Sequence, residues 1–263
     1  MKRVLITGAE GNIGSRLRAA LADQYDVGAI VRAPVSGLDA HVADIADLAA
    51  IRPAFDGVDA VVHLAASAAV ESPWDEVLPN NLVGTYNVVE AARQAGARQI
   101  VFASSNHAVG MYELDGVGEL YSARSGVMVR EDAPVRPDSL YGVSKAYGEA
   151  LARYYSEQHG MSCYCLRIGA IRPDDDPRGP SVPVDGPPWL PGMTRDRWLA
   201  RMAAVWMSHA DFAGLVDACL RAEHIRFGTY YGVSDNPYRF WSLEAAHADL
   251  GWRPRDAAPE PGS

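Results

Sequence analysis

Residues 3–7 (RVLIT) are an apolar run that leads straight into Gly8, Gly11 and Gly14, after which residues 15–21 take on a helical pattern. This order predicts a buried strand, a tight glycine turn and a helix. Gly8 would supply a backbone angle that other residues resist. Gly11 would let the backbone approach a ligand, and Gly14 would let helix and strand pack closely. Asn12 and Ile13 lie in the same turn as expected cofactor contacts, and the helix that follows presents free N–H groups and a positive dipole end that suit a pyrophosphate. An isolated glycine triplet can be an ordinary βα turn, but its place between a strand and a helix favours dinucleotide binding.

The rest of the chain repeats that rhythm. Strands are expected at 26–31, 41–43, 59–64, 98–104, 161–168 and 229–233, and helices at 46–54, 75–95, 139–158, 195–207, 211–221 and 242–250. Strand and helix at this spacing give a doubly wound parallel α/β sheet with ligands outside the carboxyl ends of its strands. Arg32 ends the second strand, where a basic side chain accepts a ribose 2′-phosphate and so points to NADP, unless it is a plain surface arginine. Asp44 could meet the adenine, or equally could cap the following helix. The small residues Ala65, Ala66 and Ser67 after Leu64 leave room for a cofactor over the strand end. Ile45 and Ile168, also near strand ends, complete the expected cofactor contacts.

Two stretches break the pattern. Residues 111–137 are polar and without period, and are expected as a surface excursion. Residues 172–191 carry seven of the 17 prolines, which excludes regular structure and suggests a lid or binding loop, or else a disordered one. Asp174, Asp175 and Asp176 within it are expected as a solvated acidic turn, and no metal site is expected. The tail from Pro254 is expected to be poorly ordered.

A chain of 263 residues suits one compact unit. Its net charge of −9 argues against nucleic acid or an anionic membrane as partner. Three cysteines without ligand spacing fit a reducing, cytoplasmic setting, and Cys163 and Cys165 alternate along one expected strand as core residues. No apolar run is long enough to span a bilayer. Of 24 basic residues only Lys2 and Lys145 are lysine, so Lys145 calls for a specific reason.

Tyr141 and Lys145 lie four apart on an expected helix and therefore on one face. An ammonium about 4 Å from a phenol would lower its pKa by about three units at an effective dielectric of about 20. That would make Tyr141 an acid–base group near neutral pH. Ser105, in the SSNH run that ends the fifth strand, could orient a substrate oxygen, although a serine-rich strand cap would look alike. Ser105, Tyr141 and Lys145 are thus the candidate catalytic set, with Lys145 also holding a ribose hydroxyl.

The glycine turn TGAEGNIG, HLAA, NLVGTYNVVEAA, SSNH and YGVSK occur in the order found in extended short-chain dehydrogenases/reductases, which the chain resembles over residues 1 to about 170. IVFASSNHAVG, SLYGVSK, LRIG and RMAAVWMSHADF look more narrowly like uronate dehydrogenases, NAD-dependent enzymes that oxidise C1 of glucuronate or galacturonate to the lactone. The resemblance implies a Rossmann-type doubly wound sheet over 1–170 and a small C-terminal substrate-binding region over 171–263. It implies Asn81 as a structural or proton-relay partner near the cofactor, with Ser67, Asn106 and His107 touching the sugar. It also implies Arg201 clamping a substrate carboxylate. That family has an acidic residue at the place of Arg32, so NADP is expected here, with NAD as the alternative. Its serine after the RIG stretch is Ala170. A neutral aldose dehydrogenase would use the same Ser, Tyr and Lys and would leave Arg201 in solvent or paired with an acid. A nucleotide-sugar epimerase would carry a larger C-terminal region, and a cofactor-sensing regulator would have no use for the catalytic set. A homodimer through the helices at 75–95 and 139–158 is expected by analogy.

Overall fold

The computed structural model describes residues 1–116, 120–122, 125–183, 186–187, 189–190 and 192–260. The parts of the 111–137, 172–191 and 254–263 expectations that fall elsewhere lie outside the described residues. Seven parallel strands form one sheet in the order β3-β2-β1-β4-β5-β6-β7. They are β1 (Arg3–Thr7), β2 (Asp26–Val31), β3 (His41–Val42), β4 (Ala60–His63), β5 (Gln99–Ser105), β6 (Ser162–Ile168) and β7 (Phe227–Gly232). The order reverses between β1 and β4, the switch point where such sheets open a crevice.

Strand alternation makes two cores. Val4, Ile6, Val62, Val101, Tyr164 and Leu166 face one side and pack with α1 (Asn12–Leu21) and α8 (His209–Arg221) through Leu17, Leu21, Phe212 and Leu215. Leu5, Val61, Ile100, Phe102, Cys163 and Cys165 face the other, against α4 (Gly84–Ala95) and α6 (Leu140–His159) through Val88, Ala92, Ala152 and Tyr155. Each buried side chain of this size stabilises the fold by about 1.5–3 kcal/mol, so a one-residue slip of any central strand is strongly opposed. The three cysteines are buried, unpaired and part of these cores.

A third core lies beyond the carboxyl ends of β6 and β7. It joins Val109, Leu120, Tyr121, Val129, Val205, Tyr231, Phe240 and Trp241. The remaining helices are α2 (Leu48–Ile51), α3 (Trp74–Val77), α5 (Met111–Gly116), α7 (Arg195–Val205) and α9 (Glu244–Leu250).

Five expectations are revised. The helix expected at 46–54 is α2 followed by a 3₁₀ turn, Arg52–Phe55, because Pro53 cannot donate into a continuing α-helix. Asp47 is its N-cap, while Asp44 accepts the Ala46 N–H in a local turn. Residues 111–116 of the expected surface excursion form α5, whose Glu113 is buried. The tail at 254–260 is pinned rather than loose: Arg255 and Asp256 N–H groups donate to the buried Asp211 carboxylate, and Ala258 N–H donates to Asn236. The helix expected at 75–95 is interrupted by a π-helical stretch, Leu78–Val83, which includes Asn80 and Asn81.

In the proline-rich stretch the described residues form no helix or strand. Asp174 there accepts from Ser181, and Asp175 from His209 N–H. Among the described residues no helix is long and apolar enough to cross a membrane.

Candidate active site

The crevice outside β1 and β4 opens into a cleft of about 610 Å³, within the range of small-molecule sites. Its floor is the glycine turn. Gly8 has φ +68°, a conformation costly for other residues, and a Cβ there would stand 2.8 Å from the Ala65 nitrogen. A Cβ at Gly14 would stand 2.2 Å from the Gly8 carbonyl oxygen, so α1 can begin this close to β1 only with glycine. Gly11 lines the cleft and caps α1 without any side-chain hydrogen bond, leaving the first N–H groups to a ligand. The turn therefore fits a dinucleotide pyrophosphate.

The far wall comes from β5 and α6. Ser139 caps α6 by accepting the Gly142 N–H, and a Cβ at Gly142 would lie 2.3 Å from the His107 carbonyl oxygen. This close approach packs the first turn of α6, which carries Tyr141, against the end of β5, which carries Ser105. Lys145 lies one turn further along, donating to the Ala103 carbonyl at 2.7 Å with its ammonium 5.4 Å from the Tyr141 ring centre. All three side chains are buried and all three line the cleft.

Electrostatics reverse one expectation. Burial pushes the Tyr141 phenol up to about 12, the nearby Ser105 hydroxyl draws it partly back, and the Asp138 carboxylate raises it. Burial also lowers the Lys145 ammonium to about 8. Desolvation outweighs the attraction of the ammonium for a phenolate, a balance that spacing alone does not give.

Of the expected cofactor contacts, Gly8, Gly11, Asn12, Ile13, Arg32, Asp44, Ile45, Leu64, Ala65, Ala66, Tyr141, Lys145 and Ile168 line the cleft. Gly14 lies just beneath it. Asn81 is set back: its amide brackets Ser67, accepting the N–H at 2.7 Å and donating to the carbonyl, and also donates to Ser144. It thus ties the end of β4 to α6. Of the expected sugar contacts, Ser67 and His107 line the cleft, with the Ser67 hydroxyl accepting from Asn80. Asn106 is buried beside Ser105, whose hydroxyl donates to it.

Arg201 is not in the cleft wall. It forms a buried fork with Glu113, Nε to Oε1 at 2.6 Å and Nη2 to Oε2 at 2.9 Å. The expected clamp on a substrate carboxylate is therefore already occupied by an internal one.

Several residues were not singled out from sequence. Asp138 accepts from His107 Nδ1 at 2.7 Å and so fixes the ring that faces the cleft. Glu10 reaches the same mouth as Arg32, accepting its backbone N–H, and Asn80 and Arg172 also line the cleft. The position of Glu10 inside the glycine turn was the one available signal. Nothing local marks Asp138 or Arg172. Among the described residues no cluster of His, Cys, Asp or Glu is placed to hold a metal ion.

Comparison with known proteins agrees with this architecture. The chain matches the NAD dependent epimerase/dehydratase family over residues 4–171. It is 36% identical to the NAD-dependent glucose-6-phosphate dehydrogenase of Haloferax volcanii, covering 98% of this chain and 94% of that protein. It is 37% identical to the L-arabinose 1-dehydrogenase (NAD(P)(+)) of the same organism, covering 97% of each. The crystal structure of uronate dehydrogenase from Agrobacterium tumefaciens superposes with a TM-score of 0.78 at 34% identity, covering 98% of this chain and 86% of that one. With its Rossmann-like sheet, its glycine turn and its Ser, Tyr and Lys on one cleft, the chain belongs to the NAD dependent epimerase/dehydratase family.

Proposed function

We propose that this protein is an NAD(P)-dependent sugar dehydrogenase that oxidises C1 of an aldose, a hexuronate or a related sugar, to the aldonolactone. The observation that carries the reading is the convergence of Ser105, Tyr141 and Lys145 on one cleft with the glycine turn at its floor. The likeness to uronate, arabinose and glucose-6-phosphate dehydrogenases supports sugar chemistry at that cleft.

An oxidised nicotinamide held over the glycine turn would supply a hydride acceptor and a positive charge. Ser105 orients the C1 hydroxyl, and Tyr141 exchanges its proton once the charges of a bound oxidised nicotinamide and of Lys145 offset the burial that holds the phenol up. Lys145, charged below about 8, favours loss of the Tyr141 proton and would hold a ribose hydroxyl. His107, held by Asp138, and Ser67 contact other sugar hydroxyls. Asn81 keeps the β4 end and α6 in register. Arg32 at the cleft mouth favours NADP through its charge, while Glu10 beside it suits the ribose hydroxyls of NAD. The outward apolar side chains Val83, Tyr86, Leu140, Val143 and Tyr154 support a homodimer through the helical segments at 75–95 and 139–158, and the unpaired cysteines support a cytoplasmic setting.

Hexuronate oxidation follows from the likeness to uronate dehydrogenase, and one observation favours a second reading, a neutral aldose. Arg201 is already neutralised by Glu113. Purified protein mixed with glucuronate, galacturonate, galactose, arabinose and glucose 6-phosphate, each with NAD⁺ and NADP⁺, tests the reading by reduced-nicotinamide absorbance. Turnover of at least one of these sugars is expected; absence of turnover with every pair would overturn it.

A further inference from the structure

We propose that Glu113 is a specificity-determining residue that neutralises Arg201 and thereby tilts the sugar site away from acid sugars and toward neutral aldoses. The inference rests on the C1-dehydrogenase reading and deepens it by naming the substrate class.

Arg201 on α7 and Glu113 on α5 are 4% and 1% exposed. The fork uses Nε and Nη2, the edge of a guanidinium that matches a planar carboxylate. Glu113 Oε1 also accepts from the Tyr121 hydroxyl at 2.7 Å, so the carboxylate is held from two elements besides its own. The remaining Nη1 lies 3.9 Å from the Met202 sulfur. The guanidinium carbon lies 5.0 Å from the Trp189 ring centre and 5.2 Å from that of Trp198.

Trp189 links this pair to the cleft. Its ring centre is 5.0 Å from that of His107 in an edge contact, and His107 lines the cleft beside Tyr141. The path outward from the cleft therefore runs through His107 and an indole before it reaches Arg201. A carboxylate on the sugar could form the Nε/Nη2 fork with Arg201 only by displacing Glu113, which would strand a buried carboxylate and abandon its hydrogen bonds. A sugar with a hydroxymethyl group, or a pentose, asks for no such exchange. The net charge of the Arg201–Glu113 pair is zero, so it offers an acid sugar no long-range attraction either.

The test is the ratio of kcat/KM for galacturonate to that for galactose, two sugars that differ only at C6, in wild type, Glu113→Gln and Glu113→Asp. Wild type is expected to favour galactose. Glu113→Gln removes the compensating charge while keeping the shape, and should raise the ratio by about ten- to a hundredfold, mainly through KM for the acid sugar. Glu113→Asp restores the charge and should return the ratio to within about threefold of wild type. A wild type that favours galacturonate overturns the proposal, as does an unchanged ratio in folded Glu113→Gln. Should neither variant fold, the wild-type ratio alone decides. If no sugar is oxidised at all, the dehydrogenase reading itself fails, an outcome distinct from a wrong ratio.

Discussion

Replacing Gly14 with alanine should damage the cofactor cradle and the fold together, whereas the same change at Gly11 should damage only the cradle. At position 14 the new Cβ would sit 2.2 Å from the Gly8 carbonyl oxygen and 2.9 Å from the Ala9 Cα. Both are backbone atoms, so no rotamer change relieves the overlap. Even a 3.0 Å contact requires a retreat of 0.8 Å (3.0 − 2.2). The turn has little freedom to give it, because Gly8 N–H donates to Ile30 across the sheet and Ala65 backbone lies against Gly8.

Overpacking of this kind costs about 1–3 kcal/mol, which lowers Tm by roughly 2–12 °C in a chain this long. A turn displaced by a large part of an ångström also loses one or two charge-assisted bonds to phosphate, each worth about ten- to a hundredfold in affinity. Gly11 differs. Its φ of −66° is ordinary, and its nearest contact would be the Gly8 oxygen at 3.3 Å. Gly11→Ala should therefore melt within about 2 °C of wild type and still bind cofactor about tenfold or more weakly, since the methyl enters the cleft. Thermal melting and fluorescence titration with NADPH and NADH measure both quantities. A Gly14→Ala protein with wild-type Tm and affinity, or a Gly11→Ala protein with wild-type affinity, would refute the assignment of these two glycines.

Three further outcomes are expected. Arg32→Asp should move cofactor preference toward NAD by about ten- to a hundredfold in the kcat/KM ratio of the two cofactors; an unchanged ratio removes Arg32 from phosphate recognition. Asp138→Asn should lower kcat/KM for sugar, because His107 Nδ1 loses its carboxylate partner at 2.7 Å. Cofactor affinity should be unchanged, and equal loss of both would point to misfolding. His63 is fully enclosed between Thr7 and Thr85, and burial, with some repulsion from Lys145, lowers it from 6.5 to about 3. The unfolded chain therefore takes up this proton below about 6.5 while the folded chain does not, so stability should fall by about 1.4 kcal/mol per pH unit between those values. Urea unfolding across that window measures the slope, and a flat profile would contradict it.

The sheet was legible because alternating apolar residues such as Val4, Leu5 and Ile6 must face two cores, and because Gly8 to Gly14 tolerate few other conformations. The site was legible as far as one element or two adjacent ones carried it: Tyr141 with Lys145 on α6, and Ser105 at a strand end. It was not legible where long-range contacts decide. Arg201 reads as a clamp until Glu113, 88 positions away in a stretch without period, is seen to occupy it. The tail reads as loose until the buried Asp211 collects its N–H groups. The sign of the Tyr141 shift depends on how much water the fold removes, which the four-residue spacing cannot convey.

The central claim is that Tyr141 exchanges the proton of the sugar's C1 hydroxyl. Its most direct test is single-turnover reduction of cofactor by the best sugar of the panel in wild type and Tyr141→Phe, with cofactor affinity measured in parallel. The phenylalanine enzyme should bind cofactor much as wild type does and reduce it about 10²–10⁴-fold more slowly. A phenylalanine enzyme that turns sugar over at the wild-type rate would contradict the claim.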